Sequence, residues 1–188
     1  NIENGGEWFE TRLLNSGQKT NPWFQECSNR IIEKGDLVAF DTDMIGPYGY
    51  CADISRTFVE GGKLNTNQKK LYDLAYENVK YNEQLIKPGL SFKEFAEKAW
   101  KLPDNCFDNH YPCQIHGVGM SDEWPFIPYP NRDYSNGDYS GRFEENMTVC
   151  VESYIGEIDG KEGVKLEDQY LVTKDGLKLL SSIPLNKI

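Results

Sequence analysis

Between Phe40 and Phe58 the sequence FDTDMIGPYGYCADISRTF sets three aspartates, Asp41, Asp43 and Asp53, inside what otherwise reads as a β-hairpin. Leu37–Ile45 and Tyr48–Val59 have strand character, Gly46-Pro47 is a turn signal, and Gly61-Gly62 ends the second strand. Asp41 and Asp43 are two apart, so on a regular strand they share a face. A solvated edge strand would tolerate such acids, but Phe40, Met44 and Ile45 flank them and argue for burial. Buried carboxylates at close quarters repel one another and lose hydration, and a bound cation is the direct remedy.

The rest of the chain predicts the scaffold. Leu71, Leu74, Ala75 and Val79 keep helical spacing, widened by Tyr72, Tyr76 and Leu85, and Lys87-Pro88-Gly89 ends that helix. Ser91-Phe92-Lys93-Glu94 reads as a capping box opening a second helix to about Trp100. Residues 103–146, rich in Pro, Gly, Asn, Asp and Tyr, show no periodicity and are expected to form a long, ordered, site-forming loop. Met147–Tyr154 and Val164–Thr173 read as strands, which makes the fold class α+β.

Composition narrows the partners. The 188 residues carry 20 Lys+Arg against 30 Asp+Glu, a formal charge of −10, with no basic cluster. Phosphate backbones and anionic membranes repel such a chain, and no apolar run approaches the roughly 20 residues of a membrane span. The expectation is therefore no nucleic acid, no membrane, and a cationic ligand or metal. Five cysteines without a CxxC pair suit reduced thiols and a cytoplasmic location. The chain opens on NGGEWFETRLL, which reads like the middle of a domain, so an N-terminal part is expected to be missing.

Three further residues complete a donor set. His116 lies in IHGVGMSDEWP, Glu152 in VCVESYIG and Glu167 in VKLEDQYLV, the two glutamates each within an apolar strand. A histidine beside glycines is by itself an ordinary structural residue, and one buried glutamate an ordinary paired one. Together with three aspartates they suit two hard or borderline metal ions. A pair of ions about 3.5–4 Å apart can polarise a substrate oxygen or activate water.

In this order the residues DISRTF at Asp53–Phe58, HGVG at His116–Gly119, Glu152 and Glu167 resemble the pita-bread superfamily of methionine aminopeptidases, Xaa-Pro dipeptidases and creatinases. The resemblance covers most of residues 35–173 and implies a curved antiparallel sheet with flanking helices around a dinuclear centre. Two departures stand out. Peptidases of the group usually space their aspartates eleven apart, whereas Thr42 holds that place here, between Asp41 and Asp43. They also carry a second His after HGxG, where this chain has Asp122 in Asp122-Glu123-Trp124-Pro125.

Both departures, with GGEWFETRLL and TNPWFQEC, are similar to the metallopeptidase-like dimethylsulfoniopropionate lyases of the DddP type. That resemblance implies that Asp41, Asp43, Asp53, His116, Glu152 and Glu167 hold two divalent metal ions. These are iron in the family, while Mn, Co and Zn accept such donors too. It implies Asp122 as general base, Tyr111 as a catalytic and substrate-site residue, a small zwitterionic substrate, and a homodimer with an additional N-terminal domain. Trp124 is a candidate for the substrate's sulfonium, with Tyr134 or Tyr139 closing over it. Asp122 also reads as a turn cap, Tyr111 and Trp124 as packing aromatics, and Glu144-Glu145 as solvated surface. Arg56 is expected to orient nearby acids. The rival functions are an Xaa-Pro-type metallopeptidase and a non-catalytic pita-bread binding module.

Overall fold

The computed structural model describes residues 1–129 and 140–185; Tyr134 and Tyr139 lie outside them. Its strands are β1 (Trp8–Phe9), β2 (Leu14–Ser16), β3 (Leu37–Asp41), β4 (Met44–Ile45), β5 (Cys51–Ala52) and β6 (Ser55–Val59), then β7 (Cys113–Gly117), β8 (Phe126–Pro128), β9 (Thr148–Gly156), β10 (Gly163–Thr173) and β11 (Gly176–Leu179). Two helices, α1 (Thr66–Leu85) and α2 (Phe92–Lys98), separate the two groups of strands. This is α+β, with every strand pairing antiparallel.

The central sheet runs β11-β10-β9-β7-β8. Its long hairpin β9/β10 pairs Glu167 with Glu152 and Gln169 with Cys150, so these side chains share one face together with Lys165. Val149, Val151, Ile155, Val164, Leu166, Tyr170 and Val172 alternate to the other face and build the main core with Leu71, Ala75 and Val79 of α1 and Phe92 and Phe95 of α2. Helix α1 begins at a reciprocal capping box between Asn65 and Gln68. Helix α2 is shorter than its sequence signal, ending at Lys98, and Ser91 caps it by accepting from the Glu94 N–H at 3.1 Å.

The aspartate hairpin is not continuous. Its outer part, β3/β6, belongs to the sheet β2-β3-β6, and its tip, β4/β5, to the sheet β1-β4-β5. Both strands break at the acids, Asp43 adopting φ +32°. The Thr42 hydroxyl spans the break, donating to the Ala52 carbonyl at 3.4 Å and accepting from the Ile54 N–H at 2.9 Å. A polar side chain has replaced ladder bonds at the kink, which the strand-like composition of the segment conceals.

Residues 103–146 also depart from expectation: β7 and β8 lie within them. All five residues of β7 are buried, so the strand lacks the polar–apolar alternation that identifies a half-exposed strand. The pairing of β7 with β8 shifts register between Cys113 and Ile115, and this irregularity lets both Cys113 and His116 reach Glu152.

Candidate active site

The structure brings the six predicted donors to one place between the broken hairpin and the central sheet. Asp41, Asp43, Asp53, His116, Glu152 and Glu167 are all buried, the most exposed being Asp43 at 7%. His116 Nε2 lies 3.0 Å from Glu167 Oε1, 3.6 Å from Glu152 Oε1 and 3.7 Å from Asp53 Oδ2. Ligand atoms of Asp41, Asp43 and Asp53 lie within 4.8 Å of one another, and so do those of Asp53, His116, Cys150 and Glu167. Asp53 is common to both groups.

The electrostatics explain why such a cluster needs cations. Burial pushes Asp41 up to about 7 and Glu152 up to about 8, and it raises Asp53 well above the usual carboxylate range. Glu167 goes the other way: burial opposes its charge, but Lys165 and His116 outweigh that and hold it low. His116 rises to about 10, because its hydrogen bond to Glu167 and the nearby Glu152 outweigh burial. Metal ions would take the place of the protons that this crowding otherwise retains. Glu152 falls in neither group, although it lies 3.6 Å from His116, and the Cys150 thiol stands in the second; buried carboxylates and an imidazole in two overlapping groups fit a pair of divalent ions.

Several residues fix the cluster without having been singled out in the sequence. The Ser55 hydroxyl lies 2.6 Å from Asp41 Oδ1 and 2.8 Å from Glu167 Oε2, and the Thr11 hydroxyl donates to Asp43. Gln169 Oε1 accepts from the Asp53 N–H at 3.2 Å, and Cys113 Sγ donates to Glu152 Oε1 at 2.6 Å. Lys165 is the least expected: 1% exposed, its Nζ sits 2.5 Å from Glu152 Oε2, 3.0 Å from Glu167 Oε2 and 3.6 Å from Asp41 Oδ2. The signal was present, since a lysine two residues before Glu167 in an apolar strand must share its face. The four cysteines other than Cys27 are buried and all five are free thiols.

The predicted substrate-side residues fare differently. Asp122 Oδ1 is 4.0 Å from His116 Nδ1, on the turn after β7, with a side chain 6% exposed whose burial raises its carboxyl to about 6. The Asp122 carboxylate also accepts from the Glu123 N–H at 3.0 Å, a bond within its own turn. Tyr111 is buried beside the cluster; its hydroxyl donates to Glu123 at 3.0 Å, Phe24 stacks on its ring at 4.9 Å, and Lys165 Nζ lies 4.5 Å from its centroid. Trp124 is 58% exposed and lines, with Gly119, Met120 and Pro125, a surface groove of about 290 Å³. Arg56 pairs with Asp168 at 2.5 Å and donates to the Glu167 carbonyl, acting on the strand that carries a donor rather than on a donor carboxylate.

Comparison with known proteins identifies the chain's relatives. The dimethylsulfoniopropionate lyase DddP of Roseovarius nubinhibens is 42% identical over 99% of this chain, and that of Roseobacter denitrificans is 41% identical over 99%. The chain spans 42% of the length of each. Among solved structures, the prolidase of Pyrococcus furiosus superposes with a TM-score of 0.80 at 30% identity, covering 97% of this chain and 52% of the prolidase. The fold is thus the pita-bread fold of the prolidases. The sequence profile of metallopeptidase family M24 matches residues 2–174, and the chain belongs to that family.

Proposed function

We propose that the protein carrying this chain is a carbon–sulfur lyase that cleaves dimethylsulfoniopropionate to dimethyl sulfide and acrylate. The observation that carries the reading is Asp122: a partly buried carboxylate stands 4.0 Å from His116, in the segment where the peptidases of this fold place a histidine. The similarity to two lyases of that name along nearly the whole chain supports the same conclusion.

Asp41, Asp43, Asp53, His116, Glu152 and Glu167 would hold two divalent ions, iron by the resemblance, whose Lewis acidity would draw charge from the substrate carboxylate and acidify the adjacent C–H. Asp122 takes the proton from that carbon. The C–H electron pair becomes the new C=C bond, the C–S bond breaks with its electrons going to sulfur, and neutral dimethyl sulfide leaves acrylate behind. An aspartate near its ordinary pKa of about 3.9 is a weak base, and the burial that lifts Asp122 to about 6 strengthens it. Tyr111 presents little free ring surface, being stacked by Phe24, so its part in this reading is to hold Glu123 beside the base. Exposed Phe24 and Trp124 offer aromatic faces to the sulfonium. The same reading makes the intact protein a cytoplasmic homodimer; no helix among the described residues is long and apolar enough to cross a membrane.

The test is headspace gas chromatography on the intact, metal-loaded protein. Wild type releases dimethyl sulfide, and Asp122→Asn loses about 10²–10⁴-fold of the rate, the usual worth of a general base, with its metal content unchanged. Equal release from the mutant removes Asp122 from its role. No release from folded, metal-bound wild type overturns the lyase. Hydrolysis of Xaa-Pro dipeptides in its place would establish the peptidase reading, since prolidases share this fold.

A further inference from the structure

The turn after β7 carries a second carboxylate, which the elimination does not use. Glu123 follows Asp122 and sits at φ +55°, a conformation that residues with a side chain rarely adopt. Its N–H donates to the Asp122 carboxylate at 3.0 Å, and its own Oε1 accepts from the Tyr111 hydroxyl at 3.0 Å. Tyr111 is itself fixed: it is 5% exposed, Lys165 Nζ lies 4.5 Å from its ring centroid, and Phe24 stacks on it at 4.9 Å. A buried tyrosine thus reaches from the donor cluster towards the surface and holds an exposed carboxylate there. Among the described residues no Lys, Arg or His forms an ion pair with Glu123, and the ammonium behind the Tyr111 ring is taken up by Asp41, Glu152 and Glu167.

An unpaired carboxylate fixed beside a site that must bind another carboxylate is a liability, unless the ligand brings a positive charge of its own. The proposed substrate does: two methylene carbons beyond its carboxylate stands a sulfonium. We propose that Glu123 is a specificity residue whose carboxylate pairs with that sulfonium while the donor cluster takes the substrate's carboxylate end. Phe24, stacked on the tyrosine, and Trp124, next in the chain, bring apolar faces for the methyl groups. The site thereby takes carboxylates that carry an onium group and disfavours plain carboxylates of the same shape. The positive charge is lost as the C–S bond breaks, so the pairing is stronger before the transition state than in it and acts on binding rather than on turnover. The inference rests on the lyase reading for its substrate.

The test is a calorimetric titration of the intact, metal-loaded protein with two carboxylates of matched shape, 3-(trimethylammonio)propanoate and its uncharged carbon counterpart 4,4-dimethylpentanoate. Wild type binds the cation roughly tenfold more tightly. Glu123→Gln keeps an acceptor for Tyr111 and loses about threefold of that preference, all of it through the cation, as removal of a solvent-facing ion pair does. With dimethylsulfoniopropionate its KM rises by a similar factor, and kcat is unchanged or higher. Equal binding of both probes by wild type, equal weakening of both in Glu123→Gln, an unchanged preference, a fall in kcat at unchanged KM, or a variant that does not fold each overturns the proposal. Wild type that releases no dimethyl sulfide yet prefers the cation overturns the lyase reading and keeps the onium site. Wild type that binds neither probe overturns both.

Discussion

Metal affinity in a buried site depends on how firmly each donor is aimed, and at the residue scale Asp53 shows how that is done here. It is the one donor common to both ligand groups, and it lies in the break between β5 and β6, where no ladder holds its backbone. Gln169, on β10 and buried, accepts from the Asp53 N–H and ties that break to the central sheet. Gln169→Leu keeps the bulk and removes the acceptor. Supporting residues of this kind are commonly worth 10–100-fold in metal affinity, so a loss of about that size is expected in a metal-competition assay, with Tm of the metal-free protein little changed. Unchanged affinity would mean that the β4/β5 tip holds Asp53 unaided. The carboxylates and His116 could be read from their order along the chain, because a buried strand has no other use for so many acids. Gln169 and Ser55 could not be read that way, since a lone amide or hydroxyl on a strand carries no such signal. Only the pairing of β9 with β10 and the crossing of β6 over β10 reveal what they touch.

At the scale of elements, the β7–β8 connection carries the largest demand. Gly117 ends β7, and its N–H donates to the Pro125 carbonyl at 2.8 Å, closing the turn that holds Asp122, Glu123 and Trp124. A Cβ on Gly117 would fall on the Trp124 carbonyl oxygen and the Pro125 ring, so only glycine permits the approach. Gly117→Ala is expected to cost about 1–3 kcal/mol in urea unfolding, as overpacking does, and, on the proposed lyase reading, to lower dimethyl sulfide release further than that loss explains, because the turn carrying Asp122 must shift. Wild-type activity in a folded Gly117→Ala protein would show that Asp122 does not depend on this turn. The helices were legible from their 3.6-residue spacing and caps, and β9 and β10 from their apolar runs. Strand β7 was hidden because both its faces are buried, and the kinks in the aspartate hairpin because Thr42 repairs them with its side chain rather than by any turn-forming residue.

The whole molecule has to keep two sheets in fixed relation, since the donors come from both. Strand β6 meets β10 through side chains rather than through a ladder: Thr57 bonds the Lys165 backbone, Ser55 bridges Asp41 to Glu167, and Arg56 pairs with Asp168. The Arg56–Asp168 pair is almost fully buried, 4% and 2% exposed at the side chains, and it gathers more than the strands. Arg56 Nε donates to the Ile183 carbonyl at 3.1 Å and Ser181 donates to Asp168 at 2.5 Å, so the segment after β11 is held to the same point. Removing one partner leaves the other charge buried and uncompensated, so Arg56→Met is expected to cost about 3–5 kcal/mol in denaturant unfolding. The pair itself is worth far less, because desolvation offsets most of its attraction. Arg56→Met combined with Asp168→Leu should therefore recover most of the loss in stability. Recovery of stability need not bring recovery of metal binding. If Arg56 also sets the position of Glu167 through its bond to that carbonyl, the double variant will be stable yet bind Co(II) more weakly than wild type. Full affinity in the double variant would mean that Ser55 and Thr57 alone align the two sheets, and that the buried ion pair serves the fold and not the metal centre.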